Sequence, residues 1–417
     1  MDAARLLHFA QYLVGDGQRG EELWRWGQTL GQRFPQHASV LSHLATLGDR
    51  LHDTGRERLC ELVPLEKLEQ MFRATLDLEP DGAGVFARAG SFYFGQDNLG
   101  EAERCLARSF RLDRTHGLVA NQLAVVYDRT DRPKDALWVL DSALREGCED
   151  PNVAWHAAMN AHQLAQYEAM LTYLDKFDAW VPDEPWTNYY RAFGLLETGQ
   201  PRDALVALEK QEQLNPTCRL PLPILRAWAA SALEKPEEFQ DQLREVLSIP
   251  LSKVDYLTVQ GLAALFDRLW QSASILDEAD PLRTNLIDRL LTSGMAPEGF
   301  FEAAREDNEV AEDVNFYRCL VYQPLDEEWP RFQGCLAEQL DWTSYYCVWG
   351  VLARDEEEAA QLVLYWQGQC HPLEAIFKEC QVEAEGFRDH VGVVWQGVRF
   401  PEPPEEAGED VALEEEE

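Results

Sequence analysis

The stretch AGVFARAGSFYFGQDNLGEAERCLARSFRLD, residues 83 to 113, decides the fold. Phe86, Ala89, Gly90 and Tyr93 fall at helical spacing before a turn, Gln96-Asp97-Asn98. Ala102, Leu106 and Ser109 fall at helical spacing after it. The same arrangement returns at a constant step, in segments that begin at Ala83, Gly117, Pro151 and Pro185. The second segment keeps Leu123, Ala124, Tyr127, Ala136, Leu140 and Ala143. The third keeps Ala158, Tyr167 and Leu174, with Ala161 at position 11 and Met170 at position 20, and the fourth keeps Ala192, Leu195, Ala204, Leu208, Leu214 and Pro216. Thr130-Asp131-Arg132-Pro133 and Thr198-Gly199-Gln200-Pro201 supply the later turns. Small residues at positions 8 and 20 let two helices of one segment approach closely. Bulky residues at 4, 7, 11, 17 and 24 fill the remaining space.

Over its whole length this stretch resembles a tetratricopeptide repeat, a pair of antiparallel helices that recurs at a step of about 34 residues. The expected fold is all-α, a tetratricopeptide-type helical-hairpin solenoid followed by a smaller helical C-terminal domain. The resemblance implies a concave groove lined by the first helix of each pair, with positions 2, 5, 6, 9, 12 and 13 turned into it. In the first segment that gives Arg88, with Ser91 and Phe94. The second gives Asn121, Gln122, Val125, Asp128 and Arg129. The third gives Asn152, Trp155, His156, Met159, His162 and Gln163. The fourth gives Trp186, Tyr189, Tyr190, Phe193 and Glu197. Amides can pair with the backbone of an extended peptide, and Trp and Tyr offer wide apolar contact at low entropic cost. Two other readings compete. The groove can be filled by the chain's own C-terminal part, or it can be plain surface. The lysines of the carboxylate clamp found in chaperone-binding tetratricopeptide domains are missing, so chaperone binding is not inferred.

Outside these four repeats, here placed at 83–218, the pattern weakens. Residues 1–82 read as degenerate helix pairs, with Leu6, Leu7, Ala10, Trp24 and Gly27 on apolar faces. The strict period is lost after Pro216, and 219–314 reads as irregular helical hairpins, with Asp280-Pro281 and residues 297–305 as helix starts. No stretch alternates apolar and polar residues long enough to argue for a sheet. Residues 315–399 are rich in aromatics and cysteines, including Trp329, Trp342, Tyr345, Tyr346, Trp349, Tyr365, Trp366 and Trp395, and read as a helical domain with an aromatic core. Its stretch LDWTSYYCVWGVLARDEEEAAQLVLYWQG resembles a small helical domain from bacterial toxin-immunity neighbourhoods. The run Asp355-Glu356-Glu357-Glu358 reads as a helix start favoured by the helix dipole. Residues 400–417 are an acidic segment expected to be disordered.

The formal charge is −37, from 74 acidic and 37 basic side chains. Such a field repels phosphate backbones, so nucleic acid and anionic membranes are not expected partners. It steers in a basic protein, and it also serves solubility. No signal peptide and no membrane-length apolar run are seen, and a cytoplasmic location is expected. Nine cysteines, with no C-x-x-C pair, fit reduced thiols. Seven Lys against thirty Arg point to a GC-rich, bacterial genome. His156 and His162 lie six apart, on different sides of a helix, so no metal pair is inferred. Cys370-His371 with Cys380 fits core positions better than a metal site. Phosphate loops, G-x-S-x-G and H-E-x-x-H are absent, so no cofactor and no catalytic residue are assigned. The expected function is a non-enzymatic scaffold or adaptor that recognises a protein or peptide in its groove. The alternative is an acidic cytosolic immunity or inhibitor protein that neutralises a basic effector or toxin.

Overall fold

The computed structural model describes residues 3–14, 19–215, 221–248, 259–277, 280–292, 310–324, 344–370 and 373–400. The readings at residues 297–305, at Trp329 and Trp342, and over 401–417 lie outside them. The chain divides into two compact units, Met1–Thr187 and Asn188–Glu417.

The first unit is helical throughout its described residues. It runs α1 (Ala3–Gln11), α2 (Gly20–Arg33), α3 (Ala38–His52), α4 (Glu57–Leu62), α5 (Leu65–Leu78), α6 (Ala83–Gly95) and α7 (Leu99–Leu112). Then come α8 (Gly117–Arg129), α9 (Pro133–Arg145), α10 (Pro151–Gln163) and α11 (Tyr167–Trp180). The starts of α6, α8 and α10 are evenly spaced, and those of α5, α7, α9 and α11 keep the same step. These are hairpins of the tetratricopeptide type. Helices of one hairpin pack on each other, and each hairpin packs on the next through α7 against α8 and α9 against α10. Consecutive first helices, α3, α6, α8 and α10, also pack on one another, whereas the second helices make almost no such contact. The first helices therefore lie on the inner side of the curve.

The crossings are close because the residues there are small. A Cβ on Gly90 would meet Leu106 Cγ at 2.6 Å, and Ala102, Ala124, Ala136 and Ala158 have no exposed surface. At position 20 of the third hairpin Met170, also fully buried, replaces the alanine. Proline opens α9 and α10, where a missing N–H costs nothing, and Asp150 caps α10 by accepting from Asn152 N at 2.9 Å.

Each hairpin turn has one left-handed residue. Asp97 (φ 58°), Asp131 (φ 56°), Ala165 (φ 53°) and Gly199 (φ 73°) follow one another at the repeat step, and Glu234 (φ 57°) comes next. The residue after each of them donates to the carbonyl five back: Asn98 to Tyr93 at 2.9 Å, Arg132 to Tyr127 at 2.8 Å, Gln166 to Ala161 at 2.8 Å, Gln200 to Leu195 at 2.7 Å and Lys235 to Ala230 at 2.9 Å. This closes the first helix and sets the angle of the second. Alanine is the strained member of the set, because its Cβ crowds the carbonyl in this conformation. Ala165→Gly is expected to stabilise the first unit by about 1 kcal/mol, seen as a higher denaturant midpoint at unchanged slope. A lower midpoint would contradict the left-handed turn.

The second unit begins with hairpins and ends differently. Its helices are α12 (Thr187–Glu197), α13 (Pro201–Leu214), α14 (Pro221–Ala232), α15 (Pro236–Ser248), α16 (Val259–Ser272) and α17 (Pro281–Thr292). The hairpin of α14 and α15 repeats the Glu234 turn, so the regular pattern runs one hairpin further than its sequence shows. Beyond α17 the helical reading of 315–399 is corrected. This region is a four-stranded antiparallel sheet of β1 (Val310–Pro324), β2 (Ser344–Ala353), β3 (Ile376–His390) and β4 (Gly392–Phe400), in the order β3-β1-β2-β4. One helix, α18 (Glu356–Cys370), packs against it. Tyr345, Cys347, Trp349 and Val351 point to one face and are almost fully buried. Opposite them on β1 lie Gln323, Val321, Cys319 and Tyr317, in that order. The alternation is hidden in the sequence because the other face of β2 carries Tyr346, Val348 and Leu352, which are also apolar. The aromatic core expected there is present in Tyr345 and Trp349, set on strands. The helix start at Asp355 is present too, with Glu358 N donating to Asp355 Oδ1 at 2.9 Å.

Candidate partner-binding face

On the inner face of the first unit, side chains from neighbouring first helices bond to each other. Arg88 Nε on α6 donates to Ser42 Oγ on α3 at 2.9 Å. Ser91 Oγ on α6 donates to Gln122 Oε1 on α8 at 2.6 Å. On α10, His156 Nε2 lies 2.8 Å from Asp128 Oδ2 of α8, and its Nδ1 lies 3.4 Å from Asn121 Oδ1. Asn160 Nδ2 donates to the same Asp128 oxygen at 3.2 Å. Arg88, Gln122 and His156 occupy the same position of successive repeats, so the bonds form a ladder along the unit. Ladders of this kind fix the offset between repeats, which a row of apolar contacts would leave free to slide.

Other groups on this face are only partly committed or partly exposed. Among the described residues Asn121 bonds only to His156, so one end of its amide is uncommitted whichever way it is turned. Trp155, Met159 and His162 are half-buried. The Trp155 ring lies 5.1 Å from the Phe177 ring on α11, which holds the indole in place. Burial pushes the Arg88 guanidinium down to about 10, with Glu79 opposing, so it stays charged at neutral pH. Arg129 is exposed and its partner is Asp97, at 2.6 Å. The face thus carries a cation, a carboxylate, amides and a fixed indole. It lacks a three-ligand metal cluster among the described residues. His156 and His162 are separate: one is held by Asp128 and the other has its ring 6.4 Å from Tyr167.

Sequence reasoning missed Ser42 and Asn160. Ser42 sits on α3, among the degenerate helix pairs of residues 1–82, where no repeat register is assigned. Asn160 is 3% exposed at position 10, outside the expected groove set. Its Oδ1 and Asp128 Oδ1 are both buried without a partner among the described residues. A buried Asn inside a helix is the only sequence signal for it. Asp128→Ala would leave the His156 and Asn160 donors unpaired. It should destabilise the first unit by about 1–3 kcal/mol in denaturant unfolding, and Asp128→Asn by less because an acceptor remains. Equal losses in the two variants would contradict the hydrogen-bonding role.

The fourth-repeat residues behave differently. Trp186 and Tyr190 are half-buried, and burial pushes the Tyr190 phenol up. Tyr189 and Phe193 are 8% and 6% exposed, which corrects their assignment as open anchors. Tyr189 N donates to the side chain of buried Gln211 at 3.0 Å. The Phe193 ring lies 5.7 Å from Trp228 on α14, and Arg268 on α16 both covers that indole at 5.6 Å and donates to Glu197 at 3.0 Å. Within the second unit, later helices occupy this part of the first-helix face.

The helix period, the recurring left-handed turn and the small residues at the crossings define a tetratricopeptide-type helical repeat protein. No protein-family model and no curated protein matches the chain. Solved structures are similar to parts of it. One is YrrB, described as a TPR protein with an unusual peptide-binding site, 18% identical over 47% of this chain and 95% of its own, at a TM-score of 0.38. PilF of Pseudomonas aeruginosa is 16% identical over 57% of this chain and 96% of its own, at 0.39. PilW, a type IV pilus biogenesis factor, is 14% identical over 49% of this chain and 92% of its own, at 0.35. Among the described residues, no helix is long and apolar enough to cross a membrane.

Proposed function

We propose that the chain is a non-enzymatic cytoplasmic scaffold or adaptor that holds an extended segment of a protein partner against the first-helix face of its first unit. The observation that carries this reading is the uncommitted Asn121 amide on α8 and the Trp155 indole at the same repeat position on α10, packed on Phe177. A backbone amide of the partner can pair with the first, and an apolar side chain can lie on the second. The His156 contact holds the Asn121 amide and the Phe177 ring holds the indole before binding, which lowers the entropic cost of association.

A second reading, an inhibitor that covers a basic effector, is favoured by the net charge of −37. It uses the same face and differs in its response to salt. If the partner is basic, affinity should fall steeply as salt rises, because screening weakens long-range steering and rim charge pairs.

The test is capture from the native host, with wild-type protein and an Asn121→Ala/Trp155→Ala variant immobilised side by side. A protein retained by the first and lost by the second supports the reading. Equal retention by both, with folding intact, contradicts it.

A further inference from the structure

The chain carries nine cysteines. Two of them face each other across β1 and β3. Cys319 and Cys380 are direct register partners, and their sulfurs lie 3.4 Å apart. Cys319 is fully buried at the centre of the sheet. Cys380 is half-buried on β3, which is an edge strand. A reagent therefore reaches Cys380 first and can pass the bond inward to Cys319.

We propose that Cys319 and Cys380 are a reversible disulfide site that ties the edge strand β3 to the centre of the sheet. The reaction partner is a small disulfide such as oxidised glutathione. Cys380 gives its proton to water, and its thiolate attacks one sulfur of the reagent, which forms a mixed disulfide and releases one thiolate that takes up a proton. Cys319 then gives up its proton and attacks Cys380 Sγ. That closes the Cys319–Cys380 bond and releases the second thiolate, which takes the proton. Two cysteine thiols are oxidised, and one reagent disulfide is reduced to two thiols.

The strand geometry favours a labile bond. Directly opposed residues have Cβ atoms about 4.5–5.5 Å apart, and a disulfide needs about 3.5–4.5 Å, so the strands must draw together by about 1 Å. The register between β1 and β3 shifts on both sides of Cys319, between Phe316 and Tyr317 and between Leu320 and Val321. Those irregularities give the ladder room to move. Strained disulfides of this type are the reducible ones. Burial pushes both thiols up, and the Glu356 charge on α18 adds to it. A raised thiol supplies little thiolate at neutral pH, so closure is slow. Closure would also pin β3, which has no second strand partner among the described residues.

The experiment is native incubation of the full chain with excess oxidised glutathione, followed by intact mass and peptide mapping. The expected result is a Cys319–Cys380 cross-linked peptide that dithiothreitol removes. The variant Cys319→Ala should instead stop at one glutathione on Cys380, at a level at least about tenfold above wild type. Wild-type protein that accumulates the mixed disulfide at Cys380, that leaves both cysteines reduced, or that links either of them to a different cysteine would overturn the proposal.

Discussion

Phe72→Ala should cost the first unit about 3–5 kcal/mol and broaden its unfolding transition. Phe72 sits on α5 with no exposed surface, and its ring lies 4.8 Å from Phe92 on α6. It joins the degenerate N-terminal helices to the first regular hairpin. Truncation leaves a hole that closes only in part, so the lost transfer energy and the cavity term add. Repeat stability is close to a sum of units and neighbour interfaces, so an interface lost here uncouples the N-terminal helices from the rest. Urea unfolding followed by circular dichroism gives the number. Phe34→Ala, at a ring 37% exposed, is the control and should change stability by less than about 1 kcal/mol. Similar losses at both positions would place the hairpin junction elsewhere.

The second large effect concerns binding. Trp155→Ala should weaken the partner by about 2 kcal/mol or more, a loss of roughly thirtyfold. The indole is already held against Phe177, so its contact surface is fixed before the partner arrives. Mutational effects at one interface fall mostly on dissociation, so the off-rate should rise while the on-rate changes little. Biolayer interferometry with the captured partner separates the two rates. A slower on-rate at unchanged off-rate would argue that Trp155 acts through a long-range effect and is not an anchor.

The hairpins were legible because their physics is local. A helix pair separated by a short turn has to place small residues where the helices cross, and Gly90, Ala124, Ala136 and Ala158 show this in sequence alone. The left-handed residues were visible only as turn chemistry at Asp97, Asp131 and Gly199, since Ala165 carries no such signal. The sheet was missed for the opposite reason. Pairing of β1 with β2 and β3 joins residues far apart in sequence, and Tyr346, Val348 and Leu352 mask the period of two. Of the expected groove positions, Arg88, Asn121, Gln122, Asp128 and His156 take part in hydrogen bonds between neighbouring first helices. The expectation failed at Tyr189 and Phe193, because α14 and α16, which cover this part of the second unit, are remote in sequence. A rule about which way a side chain points on its own helix says nothing of what later packs over it.

The most direct measurement of the central claim is isothermal calorimetry of the captured partner against two variants of equal folding. Asn121→Ala/Trp155→Ala changes the inner face, and Trp138→Ala removes an indole 57% exposed on a second helix, α9. Binding on the first-helix face predicts an affinity loss of a hundredfold or about 3 kcal/mol for the first variant, and wild-type affinity for the second. Wild-type affinity for the first variant, with the loss appearing at Trp138, would contradict the account.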